Sequence, residues 1–122
     1  MNQTVANWIA LAQYDLKSAA VLLAGGQYLT VAFELQQAVE KLLKGIYLKN
    51  TGKEAPYIHH LARLMDLAGV TPLLTNAQRT VIVKLSEYYQ EVRYSEEIEM
   101  MVQHLTKENT EAIFTETIEL CN

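Results

Sequence analysis

Apolar residues recur at helical spacing along most of the chain, and nothing alternates with period two. From about residue 4 to 24, Val5, Trp8, Ile9, Ala12, Leu16, Ala19 and Leu23 fall on one helical face. Asn2 or Thr4 can cap this helix by accepting from an orphan backbone N–H. Gly25-Gly26 ends it, because glycine tolerates the left-handed conformation of a helix terminus. A second helix runs from about 27 to 49 with Leu35, Val39, Leu42 and Ile46 as its stripe. Glu40 and Lys44 make a favourable i,i+4 pair within it, and Asn50-Thr51-Gly52 stops it. The short Gly25-Gly26 link predicts an antiparallel hairpin of these two helices.

A loop over 53–58 contains Pro56, and a short third helix covers about 59–68, with Leu61, Leu64, Met65 and Ala68 on one face. Gly69 closes it and Pro72 lies in the next linker. The fourth helix spans about 76–92, with Val81, Ile82, Leu85, Tyr88, Tyr89 and Val92 inward. Between 94 and 104, Ile98, Met101, Val102 and Leu105 keep helical spacing, but the segment reads equally as a loop with one or two turns. A last helix, about 106–120, carries Glu108, Glu111, Glu116 and Glu119 on its polar face. The first two lie where the helix dipole favours negative charge. The expected fold class is all-α: an up-and-down bundle of four long helices plus one short helix.

A chain of 122 residues supports one domain with a single modest core, residues 1–122. Half its residues are apolar and Pro and Gly are few, which excludes disorder. The net charge of −4 lacks the strongly basic footprint of a nucleic-acid-binding protein, and no DNA partner is expected. Cys121, the sole cysteine, cannot form an internal disulfide and reads as a stray terminal thiol in a reducing compartment. No basic region followed by an apolar stretch opens the chain. No apolar run reaches the ~18 residues of a membrane span. The expectation is a cytoplasmic protein without membrane contact. Half apolar content in a small domain leaves apolar surface to cover, so self-association is expected.

The polar residues of the second helix are the most informative. Trp8 and Asp15-Leu16 are followed by Gly26-x-Tyr28, Ala32-Phe33 and Gln36-Gln37-Ala38-x-Glu40-Lys41-x2-Lys44. Pro56-x2-His59-x-Leu61 and Glu91-x-Arg93-Tyr94 come next. This series, over roughly residues 8–94, resembles the HEPN (higher eukaryotes and prokaryotes nucleotide-binding) domain. His60 departs from the aspartate or asparagine usual after that histidine, and Ser95 from the proline usual after Arg-Tyr.

Active ribonucleases of that family carry an arginine with a histidine four to six residues later. After Arg93 the next histidine is His104, too far for the motif, and Arg63 and Arg79 also lack the partner. The gap matters chemically. Metal-free RNA cleavage needs a base for the 2′-hydroxyl and an acid for the leaving oxygen, and histidine suits both. Arginine stabilises charge but stays protonated, and Glu91, Glu96, Glu97 and Glu99 around Arg93 repel a phosphate backbone.

Arg93 and Tyr94 read either as a phosphate- or nucleotide-binding pair at a dimer interface or as an ion-pair clamp at the end of the fourth helix. Gln36, Gln37, Lys41 and Lys44 could line an anion- or nucleotide-binding groove. The same residues also read as a solvated face with a buried glutamine network. His59-His60 can cap the third helix or meet its neighbour. Adjacent helical residues point about 100° apart, so the pair is a poor metal site. Tyr88 and Tyr89 read as core and interface packing. No phosphate loop, catalytic carboxylate pair or nucleophile triad can be assembled, and no cofactor is expected.

The resemblance implies a module that binds a nucleotide or substrate. It is expected as a homodimer or in complex with a small nucleotidyltransferase, in a toxin–antitoxin-like or split transferase system, and non-catalytic alone. The expected ligand-binding residues are Arg93, Tyr94, Gln37, Lys41, Lys44 and His59. The alternative is a metal-independent ribonuclease toxin in which His104 or His59 reaches Arg93 across the fold or the dimer.

Overall fold

The computed structural model describes residues 4–88 and 95–121. Among these, six α-helices form and no strand: α1 (Val5–Ala24), α2 (Tyr28–Thr51), α3 (Leu61–Leu67), α4 (Asn76–Ser86), α5 (Ser95–His104) and α6 (Lys107–Cys121). A single 3-10 turn, Thr71–Leu73, precedes α4. The architecture is the all-α bundle expected from the periodicity.

Local signals start and stop the helices as read. The Thr4 hydroxyl accepts from the Asn7 amide at 3.0 Å. Gly26 takes a positive φ of 75° after α1, and Gly52 one of 70° after α2, a region that L side chains rarely adopt. Thr75 and Gln78 form a reciprocal capping box at α4. Beside it the Arg79 guanidinium donates to the carbonyls of Thr71 and Leu74, at 2.8 and 2.6 Å, and clamps the turn.

Helix α2 is the axis of the bundle and touches each of the other five helices. Its inner face buries Val31, Ala32, Leu35, Ala38, Val39 and Leu43. Leu61, Leu64, Ile82, Leu85 and Ile113 from α3, α4 and α6 close the core around it. At the α1 seam Gly45 matters for its size: a Cβ there would lie 3.0 Å from the Cβ of Trp8. Two polar tethers fix α3. Asn50 donates to the Ala68 carbonyl at 2.8 Å, and the Leu61 amide donates to Ser86 Oγ at 3.1 Å.

Several expectations are corrected. Ile9 is exposed; the inner face of α1 runs through Ala12, Asp15 and Ala19, about 100° away from it. The third helix begins at Leu61, because His60 caps it and accepts from the Arg63 amide at 3.3 Å. Helix α4 stops at Ser86, where the Glu87 and Tyr88 amides turn back to the carbonyls of Lys84 and Leu85. The inward positions expected for Tyr89 and Val92 lie outside the described residues, whereas Tyr88 is buried. The open segment resolves as helix α5, held to the core through half-buried Met101 and buried Leu105. Cys121 packs against the core, and burial pushes its thiol up to about 11. No described helix is long and apolar enough to cross a membrane.

Candidate functional site

One face of α2 is polar where a bundle helix is expected to be apolar. Gln36, Glu40 and Lys44 follow each other at intervals of four, so they stack along one side of the helix. All three are buried. Against them lie α1 and the strap 53–60, which leads into α3. Buried polar groups need partners, and here they find one another.

Glu40 is the hub. Its Oε1 accepts from Gln36 Nε2 at 3.2 Å, and its Oε2 lies 3.3 Å from Lys44 Nζ. His59 Nδ1 lies 3.0 and 3.1 Å from the two carboxylate oxygens. Gln36 also donates to the His59 carbonyl at 3.2 Å, and Gln37 donates to Gln36 Oε1 at 2.8 Å. The strap is thereby fastened to α2 through both the ring and the backbone of His59.

Lys44 is held from two further sides. Its ammonium lies 5.8 Å from the centroid of Trp8 and 5.8 Å from that of Tyr57. Aromatic faces are electron-rich and attract a cation, more strongly when water is excluded. Tyr57 meets His59 edge to face, with ring centroids 4.8 Å apart. The Tyr57 side chain is otherwise open to solvent at 90 % exposure, which leaves a ring surface for stacking.

A second pair crosses the α1–α2 seam. Lys41 Nζ donates to Asp15 Oδ2 at 2.6 Å, and Asp15 is buried. Glu34 lies in the same electrostatic neighbourhood. Burial and the negative charge of Asp15 push its carboxyl upward, and Lys41 offsets only part of that.

The structure therefore brings Gln37, Lys44 and His59 into one network, through Gln36 and Glu40, and engages Lys41 with Asp15. Arg93 and Tyr94 lie outside the described residues. Gln36, expected as a possible groove residue, belongs to this region, and so do Trp8, Asp15, Glu40 and Tyr57, which were not expected as site residues. Two of them carried a usable signal. Asp15 falls three after Ala12 and four before Ala19, on the buried stripe of a helix with few charges. Glu40 sits midway in the row Ala32-Gln36-Glu40-Lys44. Tyr57 carried none, since only folding brings the strap over Lys44.

A carboxylate compensates Lys44 and holds His59 at Nδ1, which positions the strap. Among the described residues no group of three or more His, Cys, Asp or Glu is placed to hold a metal ion. The open concavities lie elsewhere. A cleft of about 520 Å³ between α4 and α6 has Lys84 and Glu116 on its walls. Another, of about 800 Å³, lies between the end of α4 and α5.

The fold has solved counterparts. TT1696 from Thermus thermophilus superposes with a TM-score of 0.76 at 20 % identity, over 99 % of this chain and 94 % of that one. ST0689, described as an archaeal HEPN homologue, superposes with a TM-score of 0.71 at 25 % identity, over 98 % and 93 %. No curated protein matches the chain. The HEPN domain family model matches residues 5–122, and the chain belongs to the HEPN domain family.

Proposed function

We propose that this HEPN domain is a binding module, non-catalytic by itself, that works with a small nucleotidyltransferase. As a homodimer or in complex with that enzyme, it would present a nucleotide or substrate cleft in a toxin–antitoxin-like or split transferase system. Such a module would act in the cytoplasm as a single domain. The observation that carries the reading is the engagement of His59: its Nδ1 is held 3.0 Å from Glu40, in a network that also takes up Lys44. Arg93 has no histidine four to six residues on, so the acid–base pair that RNA cleavage requires is incomplete. The exposed ring of Tyr57 supplies a stacking surface beside Lys44. With Gln37, Lys41, Arg93 and Tyr94, these groups are the ones we assign to ligand contact.

A ribonuclease remains the second reading, because exposed His104 lines the cleft at the end of α4. Metal-free RNA cleavage by the purified protein, beside Arg93→Ala and His104→Ala, separates the two. The module reading expects no cleavage by any of the three, and weaker nucleotide or partner binding by Arg93→Ala. Cleavage by the native chain that both substitutions abolish would replace it with the ribonuclease reading.

A further inference from the structure

The cleft of about 800 Å³ between the end of α4 and α5 has an apolar floor of Tyr88, Met100 and Met101. Helix α5 is poorly covered. Met101 alone of its apolar side chains is turned inward, while Ile98 is 39 %, Met100 70 % and Val102 53 % exposed. A ten-residue helix this open stabilises itself weakly. Of these exposed side chains Met100 lines the cleft, beside Met101 and Tyr88, and exposed apolar surface at a cleft marks an interaction surface. Methionine suits such a surface, because its unbranched, polarisable side chain adapts to different contours.

Charge decides what fits. Nine of the fourteen acidic residues lie after residue 84, against two of the ten basic ones. Glu87 and Glu97 line the cleft. A second copy laid on α5 would set these carboxylates against their own like charges. A cationic segment would meet complementary potential at the rim and apolar contact at the floor. We infer that this cleft docks a basic amphipathic helical segment of a partner protein. The inference rests on the partner-module reading only for the existence of a partner, and peptide binding is read independently of RNA cleavage.

The probe is a labelled synthetic Leu/Lys amphipathic helix of about four turns, titrated with the whole chain and followed by anisotropy. Binding should weaken steeply with salt, as screened ion pairs require. Met100→Ser and Glu97→Gln should each weaken it about tenfold, the effect of losing a central contact. Both side chains are exposed, so unchanged circular dichroism is expected of the variants. Glu111→Gln, the same charge change on exposed α6, should leave binding unaltered. No binding, equal binding of a scrambled Leu/Lys peptide, or equal loss with Glu111→Gln would overturn the inference. So would a two-chain mass in light scattering that Met100→Glu reduces to one, because a second copy would then be the occupant.

Discussion

The imidazole of His59 is seated on the carboxylate of Glu40, with Nδ1 3.0 Å from one oxygen and 3.1 Å from the other. An ionised carboxylate only accepts, so Nδ1 carries the proton in this contact. The two residues are nineteen positions apart, one in the middle of α2 and one in the strap before α3. Through them the strap, the aromatic contacts of Lys44 and the polar row of α2 form a single connected corner.

Removing the hub should therefore cost far more than a surface ion pair. Glu40→Ala strands the Lys44 ammonium in a buried position and takes one acceptor from the Gln36 amide, and deleting one partner of a buried pair costs about 3 kcal/mol or more. Urea unfolding should show that loss. Glu40→Gln keeps an acceptor for Gln36 and should fall between Glu40→Ala and the native chain. A loss below about 1 kcal/mol for Glu40→Ala, the range of exposed pairs, would mean that the corner is solvated.

Close approach of α1 and α2 at Gly45 leads to a second expectation. A Cβ there already meets Trp8 at 3.0 Å, so Gly45→Leu must push the helices apart or twist the indole. Overpacking of this kind costs about 1–3 kcal/mol, more than the ~1 kcal/mol that leaving glycine returns in helix propensity. Thermal unfolding should drop by several degrees. Trp8 is the only tryptophan, so its emission reports the displacement directly. An unchanged emission maximum with unchanged melting would rule out the contact.

Glu34 predicts a pH dependence with a definite sign. Its carboxyl is raised above an ordinary value of 4.5, first by burial and then by Asp15. A folded-state value above the unfolded one means the group's contribution to stability is full below the unfolded value. It is lost as pH rises through the folded one. At neutral pH the ionised Glu34 thus works against the fold, and Glu34→Gln should raise the melting temperature. In acid, below the ordinary carboxylate range, the advantage should vanish. A variant equally stabilised at both pH values would point to packing rather than charge.

Much of the helix map is legible because its causes are local. Thr4, Gly26 and Gly52 act within a turn of their own positions, and the spacing of Leu61, Leu64 and Met65 defines a buried stripe without reference to any partner. Helix α5 was less legible. Only Met101 within it, and Leu105 just beyond its end, reach the core, so its spacing could not separate a helix from a looser segment. The site was legible in its residue types and less so in its pairings. Lys41 and Lys44 share a helix and a charge, yet one reaches Asp15 on α1 while the other is held by Glu40, Trp8 and Tyr57.

The order of residues, read alone, determined the helical class, most helix ends and the family, since periodicity, capping chemistry and motif spacing are properties of the linear chain. Tertiary structure decided which polar groups became buried, that His59 left α3 to bind Glu40, and that a Met-floored cleft opened beside α5. The physical reason is that burial and charge pairing depend on distances between residues far apart in sequence. Asp15 and Lys41 are twenty-six positions apart in the chain and 2.6 Å apart in the fold, and no local pattern encodes that distance.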